Sequence, residues 1–223
     1  MISAHLGTLV AVIIYFWNDF KKFYLLAPLE ILQNKKKSNF YFFLKIVTSS
    51  IPLIIIGAFL KLYGFKYIYS PSIIALSAII FSLLLLLSDK NDRKKKINDI
   101  SFKDSFIIGI VQIFALIPGS SRAGLCITAS RFLGLDRISS AKYSMYLSIP
   151  AISGATFFML LEIIKKNSMV LWFEIISIFF ISFIFAYFTI SFFIKLLKKI
   201  IFKFFVFYRI IAAVIFLLLL RSM

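Results

Sequence analysis

Residues 105–137 read SFIIGIVQIFALIPGSSRAGLCITASRFLGLDR, and this stretch decides the architecture. The apolar run Ser105–Ile117 is too short to cross a hydrocarbon core of about 30 Å. Pro118-Gly119 cuts it, and a second short helical pattern resumes at Gly124 and ends at Leu135. Two half-length helices joined by a Pro/Gly/Ser turn predict a re-entrant hairpin over about 105–137. Irregular backbone at that depth is tolerated only where protein or a wet cavity covers it.

Six longer apolar segments surround the hairpin: 2–17, 40–60, 69–88, 140–163, 169–194 and 204–220. Their apolar residues are continuous, as in 73–88 and 175–194, rather than alternating. Continuity favours helices over a closed barrel. The composition agrees, with 61% hydrophobic residues and 28 Phe among 223. The predicted fold is all-α: one integral membrane domain over 1–223, a polytopic bundle of about six spans plus the hairpin. The polar stretches 18–39 and 89–104 are predicted loops.

The net charge is +17. In a soluble domain this would suggest nucleic acid. Here the cations collect in short loops, so no nucleic-acid partner is expected, and the bias is read as topology and anionic headgroups. Lys21, Lys22 and Lys35–Lys37 follow the first span. Lys90, Arg93–Lys96 and Lys103 follow the third, and Lys195, Lys198, Lys199 and Lys203 the fifth. The intervening loops carry only Lys61 with Lys66, and Lys165 with Lys166. Heavy and light loops alternate only if 105–137 enters and leaves on one side, which puts both termini outside the cytoplasm. Cys126 is the only cysteine, so no intrachain disulfide forms. No cleavable signal peptide is visible.

The turn carries the chemistry. Pro118 removes a donor and restricts Ile117. Gly119 and Gly124 permit positive φ and close backbone approach. Ser120 and Ser121 supply hydroxyls, and the free N–H groups of the second half-helix make an anion site. Arg122 adds a guanidinium able to clamp two phosphate oxygens. From these residues alone two other readings stay open: a solvated interfacial turn with a snorkelling Arg122, and a transporter-type broken helix.

At this point the sequence resembles the bacterial undecaprenyl-diphosphatase family of the bacitracin-resistance type. The family's P-G-x-S-R-S-x-x-T motif is matched by Pro118-Gly119-Ser120-Ser121-Arg122-Ala123-Gly124-Leu125-Cys126. Gly109-Ile110-Val111-Gln112, Leu133-Gly134-Leu135 and Leu147-Ser148-Ile149-Pro150-Ala151-Ile152 match its context. The stretch from His5 to Phe16 resembles the family's first complete span, and Tyr208-Arg209-Ile210 its final helix. Ala123 and Cys126 stand where the motif has Ser and Thr, and Thr128 is a nearby hydroxyl.

The resemblance implies an inverted repeat, hydrolysis of undecaprenyl diphosphate to the monophosphate, and residence in the bacterial inner membrane. It implies catalytic roles for Arg122 and Ser121. Phosphate binding would fall to Gly119, Ser120, Ser121, Arg122, Gly124 and Thr128. It also implies a divalent cation, Mg or Ca, whose ligands cannot be assigned in this sequence. The family's E-x-x-x-E motif belongs to an N-terminal hairpin, and the sequence reads as starting inside that repeat. His5, Glu162 and Glu174 are read as buried or interfacial residues rather than catalytic ones. The expected partner is a polyprenyl diphosphate lipid, and a homo-oligomer is compatible with the sequence. The alternative to hydrolysis is non-catalytic binding or transport of a lipid phosphate.

Overall fold

The computed structural model describes residues 2–32, 38–63, 70–90, 93–166, 172–197 and 202–222. Those residues are helical nearly throughout. The helices are α1 (Ile2–Tyr15), α2 (Trp17–Phe20), α3 (Leu29–Leu32), α4 (Ser38–Tyr63) and α5 (Pro71–Ser88), then α6 (Phe102–Ile113), α7 (Arg122–Phe132), α8 (Arg137–Lys166), α9 (Trp172–Leu196) and α10 (Lys203–Ser222). The described residues of the predicted loop at 18–39 are largely helical, with a π-helical turn at Lys21–Leu26 between α2 and α3.

Among the described residues, four helices are long and apolar enough to cross a membrane: Ser38–Leu60, Pro71–Ser88, Phe173–Leu196 and Lys203–Leu220. The predicted first span is apolar but shorter, over Ser3–Tyr15. The predicted span at 140–163 lies inside α8, whose 30 residues reach about 45 Å. The chain is a multi-pass all-α membrane protein, as the sequence suggested.

The chain forms two compact units, and α4 and α8 each begin in one and end in the other. The first unit comprises 1–44 and 145–196. Within it α1 lies against α9. Gly7 permits that approach: a side chain there would strike the Phe179 carbonyl and come within 2.9 Å of Phe183 N. Tyr146 is the core of this unit, with Phe16, Phe23 and Phe42 around its ring. Its hydroxyl donates to Asp19. Pro150 sits within α8 and cannot donate to the Tyr146 carbonyl four residues back. The Tyr24 hydroxyl fills that role at 2.8 Å.

The second unit comprises 45–144 and 197–223. At its centre is α7, buried from Leu125 to Arg131, with α5 and α6 packed on it. About 18 Å and 16 Å long, α6 and α7 are the half-length helices of the predicted hairpin. Polar groups fasten α6 to its neighbours. Ser49 Oγ donates to the Ser105 carbonyl at 2.7 Å, Gln112 Nε2 to the Ser49 carbonyl at 3.2 Å, and Cys126 Sγ to Gln112 Oε1 at 3.3 Å. Cys126 is therefore a packed hydrogen-bond donor below the turn.

The base of the hairpin is held by charge. Asp89, at the end of α5, is buried. It accepts from Arg131 Nη2 at 3.0 Å, Arg137 Nε at 2.8 Å and the Phe202 N–H at 3.1 Å. Lys95 bonds Asp104, and Lys96 bonds Asp136 at 2.6 Å. The Lys95 N–H and carbonyl bond Gly134 O and Asp136 N. Residues 93–101, predicted as loop, are thereby sewn to the corner between α7 and α8. Ser101 caps α6 in a reciprocal arrangement with Asp104.

Candidate functional site

The broken helix is built in steps. The α-helical part of its first half stops at Ile113, a 3-10 turn runs through Phe114–Leu116, and Ile117 is extended at φ −77, ψ 120. That is the conformation a following proline imposes. Gly119 takes φ +89, and a Cβ there would collide with the Ile74 carbonyl of α5. Glycine is required at this position for both reasons.

Carbonyls in the turn are engaged by protein donors. Ser77 Oγ donates to Pro118 O. Arg209 Nη2 donates to Gly119 O at 2.7 Å, and Ser120 Oγ and N both donate to Ile117 O. The N–H groups of Ser121, Arg122 and Ala123 have no partner among the described residues. They open α7, so the positive end of its backbone dipole points the same way.

Ser121 is the strained residue. It lies at φ 64, ψ 102, the one positive φ outside glycine among the described residues. Such backbone costs of order 1–3 kcal/mol and gathers at functional sites. The side chain is exposed, and its Oγ accepts the Gly124 N–H at 3.3 Å. The hydroxyl proton stays free for a ligand.

Arg122 is half-buried, and its Nη1 donates to the Ser144 carbonyl at 3.2 Å. No carboxylate among the described residues pairs with it. Its other donors are available for an anion.

The structure brings Gly119, Ser120, Ser121, Arg122 and Gly124 to one turn but gives them unlike parts. Ser120 is 1% exposed and its proton is committed to Ile117. Thr128 is buried, and its hydroxyl donates at 2.8 Å to the Gly124 carbonyl within α7. Both hydroxyls build the turn and have no proton to offer a phosphate. Gly124 lies inside the first turn of α7, which starts at Arg122 rather than Gly124. Its service is space: a Cβ there would come within 3.3 Å of both Arg209 Nη1 and Ser121 Oγ. The residue carrying positive φ beside Gly119 is Ser121.

Arg209 was visible in the sequence only as a match to the family's last helix. A further signal was available, since it is the sole charged residue in 204–220. Ser77 and Ser144, which also fix the turn, had no signal of their own.

Among the described residues, the turn brings no carboxylate or imidazole to a divalent cation. The turn presents two guanidinium groups and N–H donors, all repelling a cation. No three His, Cys, Asp or Glu side chains gather anywhere among the described residues. Half-buried His5 and exposed Glu174 belong to the first unit and the turn to the second. The side chain of Glu162 lies outside the described residues. Chemically, the turn can neutralise and orient a phosphate-bearing anion.

The sequence also matches known proteins. The model of a family described as bacitracin resistance protein BacA matches residues 1–215. The chain is 37% identical over 217 residues to an undecaprenyl-diphosphatase of Pelagibacter ubique (strain HTCC1062), covering 96% of this chain and 79% of the relative. It is 35% identical over 208 residues to that of Hahella chejuensis (strain KCTC 2396), with 93% and 78% covered. For the undecaprenyl-diphosphatase of Idiomarina loihiensis (strain ATCC BAA-735 / DSM 15497 / L2-TR) the identity is 34% over 215 residues, with 96% and 81% covered. With the broken-helix turn inside the matched region, the chain belongs to the bacitracin resistance protein BacA family.

Proposed function

We propose that this protein hydrolyses undecaprenyl diphosphate to undecaprenyl phosphate and inorganic phosphate in the bacterial plasma membrane. The observation that carries this reading is the turn itself: free N–H groups, a strained and exposed Ser121, and an Arg122 with no counter-carboxylate. The names of the relatives supply the substrate. The long apolar helices suit a substrate with a polyprenyl tail.

In the reaction, a water oxygen bonds to the terminal phosphorus, and the bond from that phosphorus to the bridging oxygen breaks. The bridging oxygen leaves with undecaprenyl phosphate, and the water oxygen ends in the released phosphate. Negative charge grows on the bridging oxygen. Arg122 and the N–H groups of the turn stabilise that charge as preorganised donors. The Ser121 hydroxyl orients a phosphoryl oxygen by donating its free proton.

The test is phosphate release from undecaprenyl diphosphate by the purified full chain in detergent. Arg122→Ala is expected to cut the rate roughly 10²–10³-fold, the usual cost of losing one transition-state donor. An unchanged rate in the variant removes Arg122 from the mechanism. Release by the unaltered protein no faster than a protein-free control overturns the hydrolytic reading.

A further inference from the structure

Arg209 enters the turn from α10, whose 204–220 stretch is otherwise uncharged. An arginine inside an apolar span costs about 2.5–3.5 kcal/mol on insertion scales. Such residues face a partner or a wet cavity. Among the described residues Arg209 has one hydrogen-bond partner, the Gly119 carbonyl, and that bond uses one donor of Nη2. No Asp or Glu among the described residues pairs with it. Its Nη1 lies beside the first turn of α7, within 3.3 Å of where a Gly124 side chain would begin. Arg122 is anchored instead to α8, through Ser144. Two guanidinium groups therefore reach one turn from different helices, and neither has a counter-charge.

A single phosphoryl group needs one clamp. A diphosphate carries charge on two adjacent phosphoryl groups and is matched by two. We propose that Arg209 is the second guanidinium of the site. It holds Gly119 in place and offers its remaining N–H groups to the phosphoryl group that Arg122 does not hold. It thereby sets the preference for a diphosphate over a monophosphate. Both products carry one phosphoryl group each, so each leaves with one guanidinium contact rather than two. This inference rests on the turn being the phosphate site.

The test uses the purified full chain with a bound fluorescent prenyl diphosphate, displaced by pyrophosphate or by orthophosphate. The unaltered protein is expected to favour pyrophosphate. Arg209→Gln should weaken pyrophosphate roughly ten- to hundred-fold, the range for a charge-assisted contact, and leave orthophosphate nearly unchanged. Arg122→Gln should weaken both anions. If Arg209 merely braced Gly119, its loss would weaken both anions equally, and that result overturns the proposal. An unchanged ratio in a folded Arg209→Gln overturns it as well. Should that variant not fold, Arg209→Lys decides, since one ammonium cannot both hold Gly119 and present a fork of donors. Its ratio must fall several-fold, and a retained ratio overturns the proposal. If neither anion displaces the probe from the unaltered protein, the phosphate reading of the turn itself fails, a separate outcome.

Discussion

Replacing Ser121 by glycine separates stability from function. Ser121 sits at φ 64, ψ 102, where a Cβ costs about 1–3 kcal/mol. Glycine removes that cost. Against the gain stand about 0.4–1 kcal/mol from the freer unfolded chain and a few tenths for the weaker helix cap. The net expectation for Ser121→Gly is a stability between unchanged and about 2 kcal/mol higher. Ser121→Ala keeps the strained Cβ and loses the bond from the Gly124 N–H, so it should fall by about 1 kcal/mol. The glycine variant should thus exceed the alanine variant by about 1–3 kcal/mol. Both lack the hydroxyl that faces the ligand, so both should release phosphate more slowly. The assay pairs denaturant unfolding in detergent micelles, followed by circular dichroism, with phosphate release. A glycine variant less stable than the alanine variant would show that the backbone is not strained. A glycine variant with full activity would remove the hydroxyl from the mechanism.

The base of the hairpin makes further predictions. Asp89→Asn leaves the buried Arg131 without its counter-charge and should cost about 3–5 kcal/mol; an unfolding midpoint like that of the unaltered protein would show that the hub is not structural. Gly119→Ala combines φ +89 with a collision against the α5 backbone. It should lose at least about 2 kcal/mol and most activity, and full activity with an unchanged unfolding midpoint would mean that the turn tolerates a Cβ. Burial pushes the carboxyls of Asp104 and Asp136 up, but Lys95 with Ser101, and Lys96 with Ser139, outweigh it and hold both below the usual range. A lowered folded value stabilises above the unfolded value of about 4, and that stability is lost as the pH falls through the lowered values. Acid unfolding should therefore shift to higher pH in Asp104→Asn/Asp136→Asn, and an unshifted curve would deny both pairs a role.

Much of this arrangement was legible because prolines and glycines mark it locally. Pro118-Gly119 gave the break, and the short patterns on each side gave two half-helices. Boundaries moved where tertiary packing competed with local signals. The second half-helix begins at Arg122 because Ser121, a non-glycine, accepts the strained φ and caps it. Of the two services the sequence allowed Gly124, positive φ and close approach, the structure uses the second. Ser120 and Thr128 looked like ligand groups because hydroxyls near a phosphate motif suggest binding. Which carbonyl a hydroxyl faces follows from backbone geometry that the sequence does not encode locally. The Asp89 hub joins residues more than forty apart in the chain, and no periodicity reports such a pairing.

The two arginines of α7 state the functional case most directly. Arg131 lies in the last turn, where the helix dipole favours a cation, and it is paired with Asp89 while 1% exposed. That is how an embedded guanidinium is stabilised when its role is structural. Arg122 lies in the first turn of the same helix, at the end where the dipole disfavours a cation. It has a carbonyl partner and, among the described residues, no carboxylate. Beside it stand unbonded N–H groups, themselves partial positive charges, and a second arginine from α10. Apart from the carbonyls that hold the two guanidinium groups, the charge contributions described at this end of the helix have the same sign. Folding alone gives no reason to gather them there, and each is disfavoured by the others. An anion with two charged phosphoryl groups reverses the sign of each of those interactions at once. The strain at Ser121, the missing carboxylate at Arg122 and the spare donors of Arg209 then follow from one requirement, that the turn be complete only when the diphosphate is bound.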